Sequence, residues 1–382
     1  MGPLLSGVRL GTHRVAAPEE TWQRLVPLLP AVGITRVADV TGLDDIGVPV
    51  WQAVRPNSAN LSVSQGKGIT HELARVSAAM ESFELHCAER PQLITRTASP
   101  SQLSSQLPYD WADLVLLDHH AMATGRPITW CQSENLLTGT TAWVPTESVV
   151  VDMTLRTRWV PPTVKTTSNG LASGNILEEA TVHALLELME RHALALAREG
   201  AGLWSAAVEI RPGAWGAASA VLRRCRDAGA VVQVADVTGD LQVPAFAARI
   251  WSPSVPWWFA GSGAHLDADV ALSRAVTEAL QSRLTAVAGA RDDLPVIRFD
   301  PAAEPPGRRA RERVTTVDDL LGAYSAVPQT PSPRDLTTDL DHLLRLLSRR
   351  GHTVLRADLT NPSYGLPVVR LVVPGLRFDP KA

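Results

Sequence analysis

A glycine- and serine-rich turn at residues 168–175 leads into a long apolar stretch that carries Glu179, Glu187 and Glu190. At about 100° per residue, these carboxylates lie near 0°, 80° and 20° around a helix, so they share one face. Most other positions are apolar, which predicts a largely buried helix. Buried carboxylates are costly unless they pair with cations or bind a metal, and carboxylate oxygens suit Mg²⁺. A solvated face paired with nearby arginines is the alternative interpretation.

A second predicted helix, residues 69–90, also carries polar groups on one face, because Ser77, Glu81 and Glu84 are spaced i, i+4 and i+7. It follows a Gly-Lys-Gly turn, in which the glycines allow close backbone approach and Lys67 can neutralise a phosphate. This turn is not a P-loop, which requires Gly-x4-Gly-Lys-Ser/Thr, so an exposed turn lysine is the alternative. Two acidic helices in one chain predict a site that holds Mg²⁺ ions around a triphosphate.

Two further segments complete the pattern, Glu187-x2-Glu190-Arg191 and Thr277-Glu278-x2-Gln281-Ser-Arg283. Together with the Ser77-x3-Glu81-x2-Glu84 and Asn175-x3-Glu179 motifs, they make the chain resemble the YcaO superfamily of ATP-dependent enzymes, which activate backbone amides in ribosomally made peptides. The resemblance runs from about residue 8 to the end and fits the stand-alone or TfuA-associated type.

This resemblance implies that ATP and Mg²⁺ are the cofactors. It assigns five carboxylates to Mg²⁺, those of Glu81, Glu84, Glu179, Glu187 and Glu190. It assigns contacts with the nucleotide or its phosphates to Asn175, Arg191, Gln281 and Arg283, and more loosely to Lys67 and Ser77. One departure is His192, where many members carry aspartate after the Glu-Arg pair.

The expected fold is mixed α/β (α+β), a YcaO-like fold in which interwoven subdomains surround a central Mg-ATP site. We expect one module over residues 1–382, because the motifs are far apart in sequence and must converge. Its parts are an N-terminal Mg-binding helix region at 8–95, a central ATP and Mg region at 150–295, a candidate flexible segment at 296–336 and a C-terminal α/β end at 337–382.

Hydrophobic periodicity and turn residues predict the secondary structure. Helices are expected at 19–30, 69–90, 212–228, 266–288 and 337–350, besides the helix that carries Glu179. Strands are expected at 34–41, 47–54, 127–133, 141–144, 147–153, near 205–210, and at 230–237, 243–251, 352–358 and 367–373. Residues 99–106 are expected to form a polar loop.

Composition narrows the class of protein. The 382 residues are 45% hydrophobic and 20% charged, which is typical of a folded core. A net charge of −3 argues against bulk nucleic-acid binding. Three cysteines without metal-like spacing favour a reducing cytoplasm, and the absence of a signal pattern or long apolar run argues against secretion and membrane spanning.

The resemblance implies a reaction in which ATP phosphorylates an amide oxygen, so that phosphate can leave after a nucleophile adds. A side chain of the peptide gives an azoline, sulfide gives a thioamide, and the peptide amino terminus gives a macrocyclic amidine. The final residues, 373–382, lack the Pro-x-Pro-x-Pro tail common among azoline-forming members, and no extra leader-binding domain is expected. These features favour thioamide formation with a sulfur-delivery partner, or a stand-alone amidine-forming enzyme, and azoline formation by cyclodehydration stays open.

The expected partners are a precursor peptide and a sulfur-delivery or leader-binding protein, and a homo-oligomer stays open. No general base is identified among the ten histidines. Two other functions stay open: a non-catalytic peptide-binding scaffold that retains its nucleotide site, and an ATP-dependent ligase that joins a carboxylate to an amine.

Overall fold

A computed structural model describes residues 11–117, 125–154, 162–291, 293, 313–324 and 335–378. The chain has a mixed α/β architecture, which confirms the expected fold class. None of the helices in these ranges is long and apolar enough to cross a membrane. The histidines at 119 and 120, Asp292 and the last four residues lie outside the described residues.

Three β-sheets form the framework of the described residues. Their strands are β1 Arg36–Asp39, β2 Val50–Val54, β3 Val63–Lys67, β4 Thr95–Ala98, β5 Ile128–Asn135, β6 Thr140–Pro145, β7 Leu171–Ser173, β8 Val208–Arg211, β9 Val231–Asp236, β10 Ala245–Trp251, β11 Phe259–Ala264, β12 Val314–Thr316, β13 Leu355–Asp358 and β14 Val368–Val372. The first sheet is antiparallel and has the order β1-β2-β3, the second has the order β11-β10-β9-β8-β12, and the third has the order β4-β5-β13-β14-β7 with β6 paired to β5. Only the β8–β12 pair is parallel among those described.

Helices cover these sheets; in the described ranges they are α1 Pro18–Leu25, α2 His71–Glu89, α3 Pro100–Leu103, α4 Leu177–Glu199, α5 Ala217–Asp227, α6 Ala268–Ala288, α7 Val317–Gly322 and α8 Leu336–Arg349. Several start at side-chain caps. The side chain of Thr70 accepts a hydrogen bond from the Leu73 amide at the start of α2, and Asp267 caps α6 in the same way. The long helix α4 starts without a side-chain cap and is buried on most faces, as its apolar sequence predicts.

The core places α4 between the two larger sheets. Its apolar side chains form one cluster with Ala247 of β10 and Leu371 of β14. Helices α2 and α6 lie directly on strands β3 and β11 because glycines face them. A Cβ atom at Gly66 would collide with the backbone amide of Ala78, and one at Gly261 with that of Ala279. These close contacts bring α2, α4 and α6 around one space.

Most predicted elements are present, with ends shifted by a few residues. Residues 99–106 are not a simple loop, because Ser99 and Gln102 form a capping box that starts α3. The predicted strand at 147–153 is wrong: its backbone amides bond to separate loops and helix ends, including Ala59 and Ala88, and not to a neighbouring strand. Within the candidate flexible segment, the described residues 313–324 contain β12 and α7.

Candidate functional site

A cavity of about 590 Å³ lies between α2, β3, α4 and α6. Residues from 11–18, at the start of α1, and from 166–175, before α4, also line it. The volume is in the range of small-molecule sites. Every residue that the sequence assigned to Mg²⁺ or the nucleotide lines this cavity, except Arg283; these residues are Lys67, Ser77, Glu81, Glu84, Asn175, Glu179, Glu187, Glu190, Arg191 and Gln281.

The structure does not bring Arg283 to the cavity. Its side chain is fully buried, and its Nε donates to Asp44 Oδ2 at 3.0 Å. Its Nη2 donates to Asp45 Oδ1 at 3.3 Å and to Ser254 Oγ at 3.0 Å. Two residues along a helix correspond to a rotation of about 200°, so Arg283 and the cavity-lining Gln281 point to opposite sides of α6. The predicted phosphate contact is therefore replaced by a buried ion-pair network.

Two carboxylates of α2, those of Glu81 and Glu84, face the cavity, and no cationic side chain in the described part of the chain forms an ion pair with either. Burial, followed by the nearby charge of Glu84, raises the pKa of Glu81 to about 7. Burial also raises the pKa of Glu84 to about 7, although Glu84 Oε1 accepts hydrogen bonds from the Ser173 amide at 2.8 Å and the Ser173 hydroxyl at 2.6 Å. Two carboxyls with elevated pKa on one face form a site that would be stabilised by a cation.

The carboxylates at the middle of α4 differ in how well the protein satisfies them. Glu187 Oε2 accepts a hydrogen bond from the Gly170 amide at 3.0 Å, and burial raises the pKa of Glu187 despite the opposing charge of Arg191. Glu190 is more firmly held, since its two oxygens accept from Ser262 Oγ at 2.6 Å and the Ala264 amide at 3.1 Å. Arg191 Nη2 lies 3.8 Å from Glu190 Oε1 and 4.0 Å from Glu187 Oε1.

Glu179 is the most completely bonded of the predicted metal ligands. Its Oε1 accepts from Arg14 Nη1 at 2.9 Å and from the backbone and side-chain nitrogens of Asn175, each at 3.2 Å. Its Oε2 accepts from the Val15 amide at 2.9 Å. Glu179 therefore links the residues that precede α1 to the turn that carries Asn175 through hydrogen bonds, and these bonds hold that part of the cavity wall in place.

Sequence reasoning missed a carboxylate on the opposite wall. Glu278 Oε2 lies 2.6 Å from Lys67 Nζ, so Lys67 is already paired. Burial acts to raise the pKa of Glu278, but the charges of Lys67 and Arg191 together lower it below its ordinary value. The signal was available, because Glu278 precedes Gln281 by one helical turn within the same motif.

Other missed residues lie on the same walls. His183 follows Glu179 by four residues and precedes Glu187 by four, so helical spacing alone places it between them. Burial, followed by the charges of Arg14 and Arg274, lowers the pKa of His183 well below its ordinary value, so the imidazole is neutral. Arg14 and Arg274 also line the cavity.

The donor set fits Mg²⁺ shared with a phosphate. Among the described residues, no group of three or more His, Cys, Asp or Glu side chains is arranged to hold a metal alone. Mg²⁺ is usually bound by one or two carboxylates together with water and substrate phosphates. Glu81, Glu84 and Glu187 supply carboxylates whose charge the protein leaves poorly compensated. Lys67, Arg14 and Arg274 line the same cavity, where Lys67 pairs with Glu278 and Arg14 with Glu179, so a bound phosphate would share these two cations with protein carboxylates.

Comparison with protein-family models shows to which family the chain belongs. Residues 65–377 match the model of the YcaO cyclodehydratase family, which is described as binding ATP and Mg²⁺. The chain belongs to the YcaO family. This membership confirms the expected cofactors, ATP and Mg²⁺, and it supports the view that the chain is an ATP-dependent enzyme that activates amides in the biosynthesis of ribosomally made peptides.

Two relatives match almost the whole of this YcaO chain. An uncharacterized protein of Mycobacterium tuberculosis is 44% identical over 373 residues, covering 96% of this chain and 83% of the relative. An uncharacterized protein in the tfuA 3' region of Rhizobium leguminosarum bv. trifolii is 34% identical over 394 residues, covering 98% of this chain and 91% of the relative.

Several solved structures share the fold, and two of them cover nearly all of this chain. YcaO from Methanopyrus kandleri, bound with AMPPCP and Mg²⁺, has a TM-score of 0.71 at 23% identity and covers 98% of this chain and 94% of its own. A heterocyclase in complex with substrate and cofactor has a TM-score of 0.75 at 23% identity and covers 99% of this chain. The match spans 54% of that heterocyclase, about half its length.

Proposed function

We propose that this chain transfers the γ-phosphoryl group of ATP to a backbone amide oxygen of a ribosomally made precursor peptide. ADP leaves, a nucleophile adds to the carbonyl carbon, and the phosphorylated oxygen departs as phosphate. The observation that carries this proposal is one cavity in which six glutamates face four cationic side chains. Carboxylates in excess over cations suit a metal-bound triphosphate, which brings both kinds of charge.

The residues divide into two groups. Glu81, Glu84 and Glu187 are proposed to hold Mg²⁺, because burial raises the pKa of each, and for Glu187 it does so although Arg191 lies 4.0 Å away. Bound Mg²⁺ would offset the charge of the phosphates during transfer. Glu179 and Glu190, whose oxygens already accept protein hydrogen bonds, are proposed to position the cavity wall. For contact with the metal, one lone pair remains on Glu179 Oε2 and one on each oxygen of Glu190.

Contacts with the nucleotide are proposed for Lys67, Ser77, Arg191 and Gln281, since their side chains line the cavity near these carboxylates. Asn175 is proposed to act mainly through Glu179, because its amide nitrogen donates to that carboxylate and its Oδ1 accepts from Thr21 Oγ1 at 3.0 Å. The proposed roles therefore involve the residues that the sequence motifs predicted, with the exception of Arg283, which does not line the cavity.

For the product, we propose a thioamide. The similarity to a protein from the tfuA 3' region supports the TfuA-associated type that the sequence suggested. Hydrosulfide, delivered by a partner protein, would add to the carbonyl carbon of the phosphorylated amide; loss of phosphate and a proton then leaves a carbon–sulfur double bond. The precursor peptide and the partner are parts of this proposal.

Calorimetric titration with a non-hydrolysable ATP analogue in excess Mg²⁺ tests the site without the peptide. Glu84→Gln/Glu187→Gln should reduce affinity at least about a hundredfold, because two of the proposed metal ligands lose their charge. Glu178→Gln, on the same helix as Glu187 but outside the cavity lining, is the matched control and should bind as the wild type does. Equal affinity in all three proteins would contradict the proposed metal site.

The nucleotide product separates the alternatives once the precursor peptide is supplied. ADP with phosphate fits amide phosphorylation, and a peptide mass increase of about 16 Da, from oxygen replaced by sulfur, identifies a thioamide. AMP with pyrophosphate would instead indicate an adenylating ligase. Binding of the analogue without turnover in the presence of peptide and partner would favour a scaffold.

A further inference from the structure

A second pocket, of about 60 Å³, lies beside the large cavity. Thr167 lines both spaces, so the two are neighbours across the segment that leads into β7. Most of the pocket wall is apolar and includes Leu188 of α4, Val164, and Phe378 beyond β14. The mechanism proposed above does not use this pocket.

One charged side chain is built into that apolar wall. Arg370 of β14 is only 4% exposed, and its Nε donates to the Ser148 carbonyl oxygen at 2.9 Å. Its Nη1 is buried and has no hydrogen-bond partner among the described residues. A buried guanidinium nitrogen without an acceptor is costly, so an acceptor that arrives with a ligand would relieve that cost.

The charge of Arg370 persists at neutral pH. Burial lowers the pKa of Arg370 to about 10, with Glu187 acting in the opposite direction. Lys165 adds a second cationic side chain to the pocket lining, whereas the carboxylate-bearing Asp113 is solvent exposed. The pocket therefore combines positive charge with apolar walls.

We propose that this pocket binds a carboxylate group of the peptide substrate, with the Arg370 guanidinium as its principal partner. A planar guanidinium matches a carboxylate in shape and hydrogen-bond geometry. A volume of about 60 Å³ exceeds the roughly 10–15 Å³ needed for one water but is far below that of the nucleotide cavity. The apolar wall suits the aliphatic stem that carries such a group.

The inference rests on the proposed function for the identity of the ligand as a peptide. Because Thr167 separates the pocket from the large cavity, a carboxylate bound there would lie near the amide that is modified. The pocket would then select a peptide with an acidic side chain, or a free C-terminal carboxylate, close to that amide.

Two isomeric probes distinguish these sources. N-acetylisoglutamine carries only a side-chain carboxylate, N-acetylglutamine carries only an α-carboxylate, and the neutral N-acetylglutaminamide is the control ligand. Ligand-observed NMR at constant ionic strength measures their binding to the full-length protein. Binding of either acid at least about tenfold tighter than the amide supports the pocket, and the tighter acid identifies the source. Equal binding of all three probes, or of none, would overturn the inference.

Variants connect the binding to this pocket. Arg370→Met should weaken the preferred acid at least about tenfold, and Lys165→Met should weaken it by a smaller factor without removing a core guanidinium. Arg211→Met, which removes a side chain that is 64% exposed on β8, should leave binding unchanged. If Arg370→Met does not fold, Lys165→Met and the comparison of the three probes still test whether the acid binds in this pocket. Acid binding that neither pocket variant weakens would refute its assignment to the pocket.

Failure of this inference is distinguishable from failure of the proposed function. Titration of the same proteins with the Mg²⁺-bound ATP analogue reports on the large cavity. Wild-type nucleotide binding without selective acid binding would remove the carboxylate pocket alone. Acid binding that depends on Arg370, in a protein that binds no nucleotide, would keep the pocket and remove the proposed reaction.

Discussion

Arg283→Met tests whether Arg283 contacts the nucleotide, as the family motif implies, or stabilises the fold through a buried ion pair, as the structure shows. The family resemblance places Arg283 at the nucleotide, whereas the structure buries it completely in a pair with Asp44, which is itself 1% exposed. Asp44 Oδ1 also accepts a hydrogen bond from the Ile46 amide at 2.9 Å, so the carboxylate cannot turn away from its site without further loss. Removing the guanidinium leaves a buried carboxylate without its cation.

Breaking a buried ion pair in this way costs about 3–5 kcal/mol of the free energy of unfolding. An unfolding entropy of roughly 2.1 cal/mol/K per residue gives about 0.8 kcal/mol/K for 382 residues. The expected decrease in Tm is therefore roughly 4–6 °C. Nucleotide affinity of the folded variant should change by less than about twofold, because Arg283 does not line the cavity.

Differential scanning calorimetry and titration with the Mg²⁺-bound ATP analogue measure both quantities. Arg226→Met, which breaks an ion pair whose side chains are 62% and 67% exposed, is the control and should cost less than about 0.5 kcal/mol. Asp44→Asn combined with Arg283→Met should lose less stability than the sum of the single variants. Unchanged stability together with a large loss of nucleotide affinity would refute the structural assignment and return Arg283 to the phosphates.

Two further predictions concern the acidic helix α2. Burial raises the pKa of Glu84 from 4.5 to about 7, so the folded apoprotein binds more protons than the unfolded chain between these pH values and loses stability as the pH rises through them. At pH 8, Glu84→Gln should therefore raise the free energy of unfolding of the metal-free protein by up to about 3 kcal/mol, seen as a higher Tm; at pH 4 it should leave the Tm unchanged. The same Tm difference at both pH values would contradict the raised pKa. Gly66→Ala should cost about 1–3 kcal/mol in urea unfolding, because its Cβ atom would collide with the backbone of α2, whereas the control Gly42→Ala, with no atom within 4 Å, should be nearly neutral. Equal midpoints for these two variants would show that β3 and α2 can separate without cost.

Local geometry explains why much of the site could be read from the sequence. The rotation per residue of a helix is fixed, so the spacing of Glu179, Glu187 and Glu190 was sufficient to place them on one face. The same rule applied to Ser77, Glu81 and Glu84. All six line the same cavity in the structure. The strand at 147–153 failed for the opposite reason, since a β-branched run needs a neighbouring strand, and its amides bond elsewhere.

Membership of a motif does not fix the direction of a side chain. Gln281 and Arg283 belong to one motif, yet the helical rotation between them sends one to the cavity and the other into a buried network with Asp44. The sequence contained the information needed to separate them. The family motif assigned the same kind of contact to Gln281 and Arg283, although helical spacing places the two side chains on opposite faces.

By itself, the sequence determined the family, the cofactors, the mixed α/β class and the two acidic helix faces, because these depend on local periodicity and on recognisable motifs. Only the tertiary structure decided which charges are already satisfied. Lys67 pairs with Glu278 and Arg14 with Glu179 across distant parts of the chain, whereas Glu81, Glu84 and Arg370 have poorly compensated charge or an unmet donor. Charge compensation depends on distance and burial in three dimensions, which residue spacing along one helix does not define.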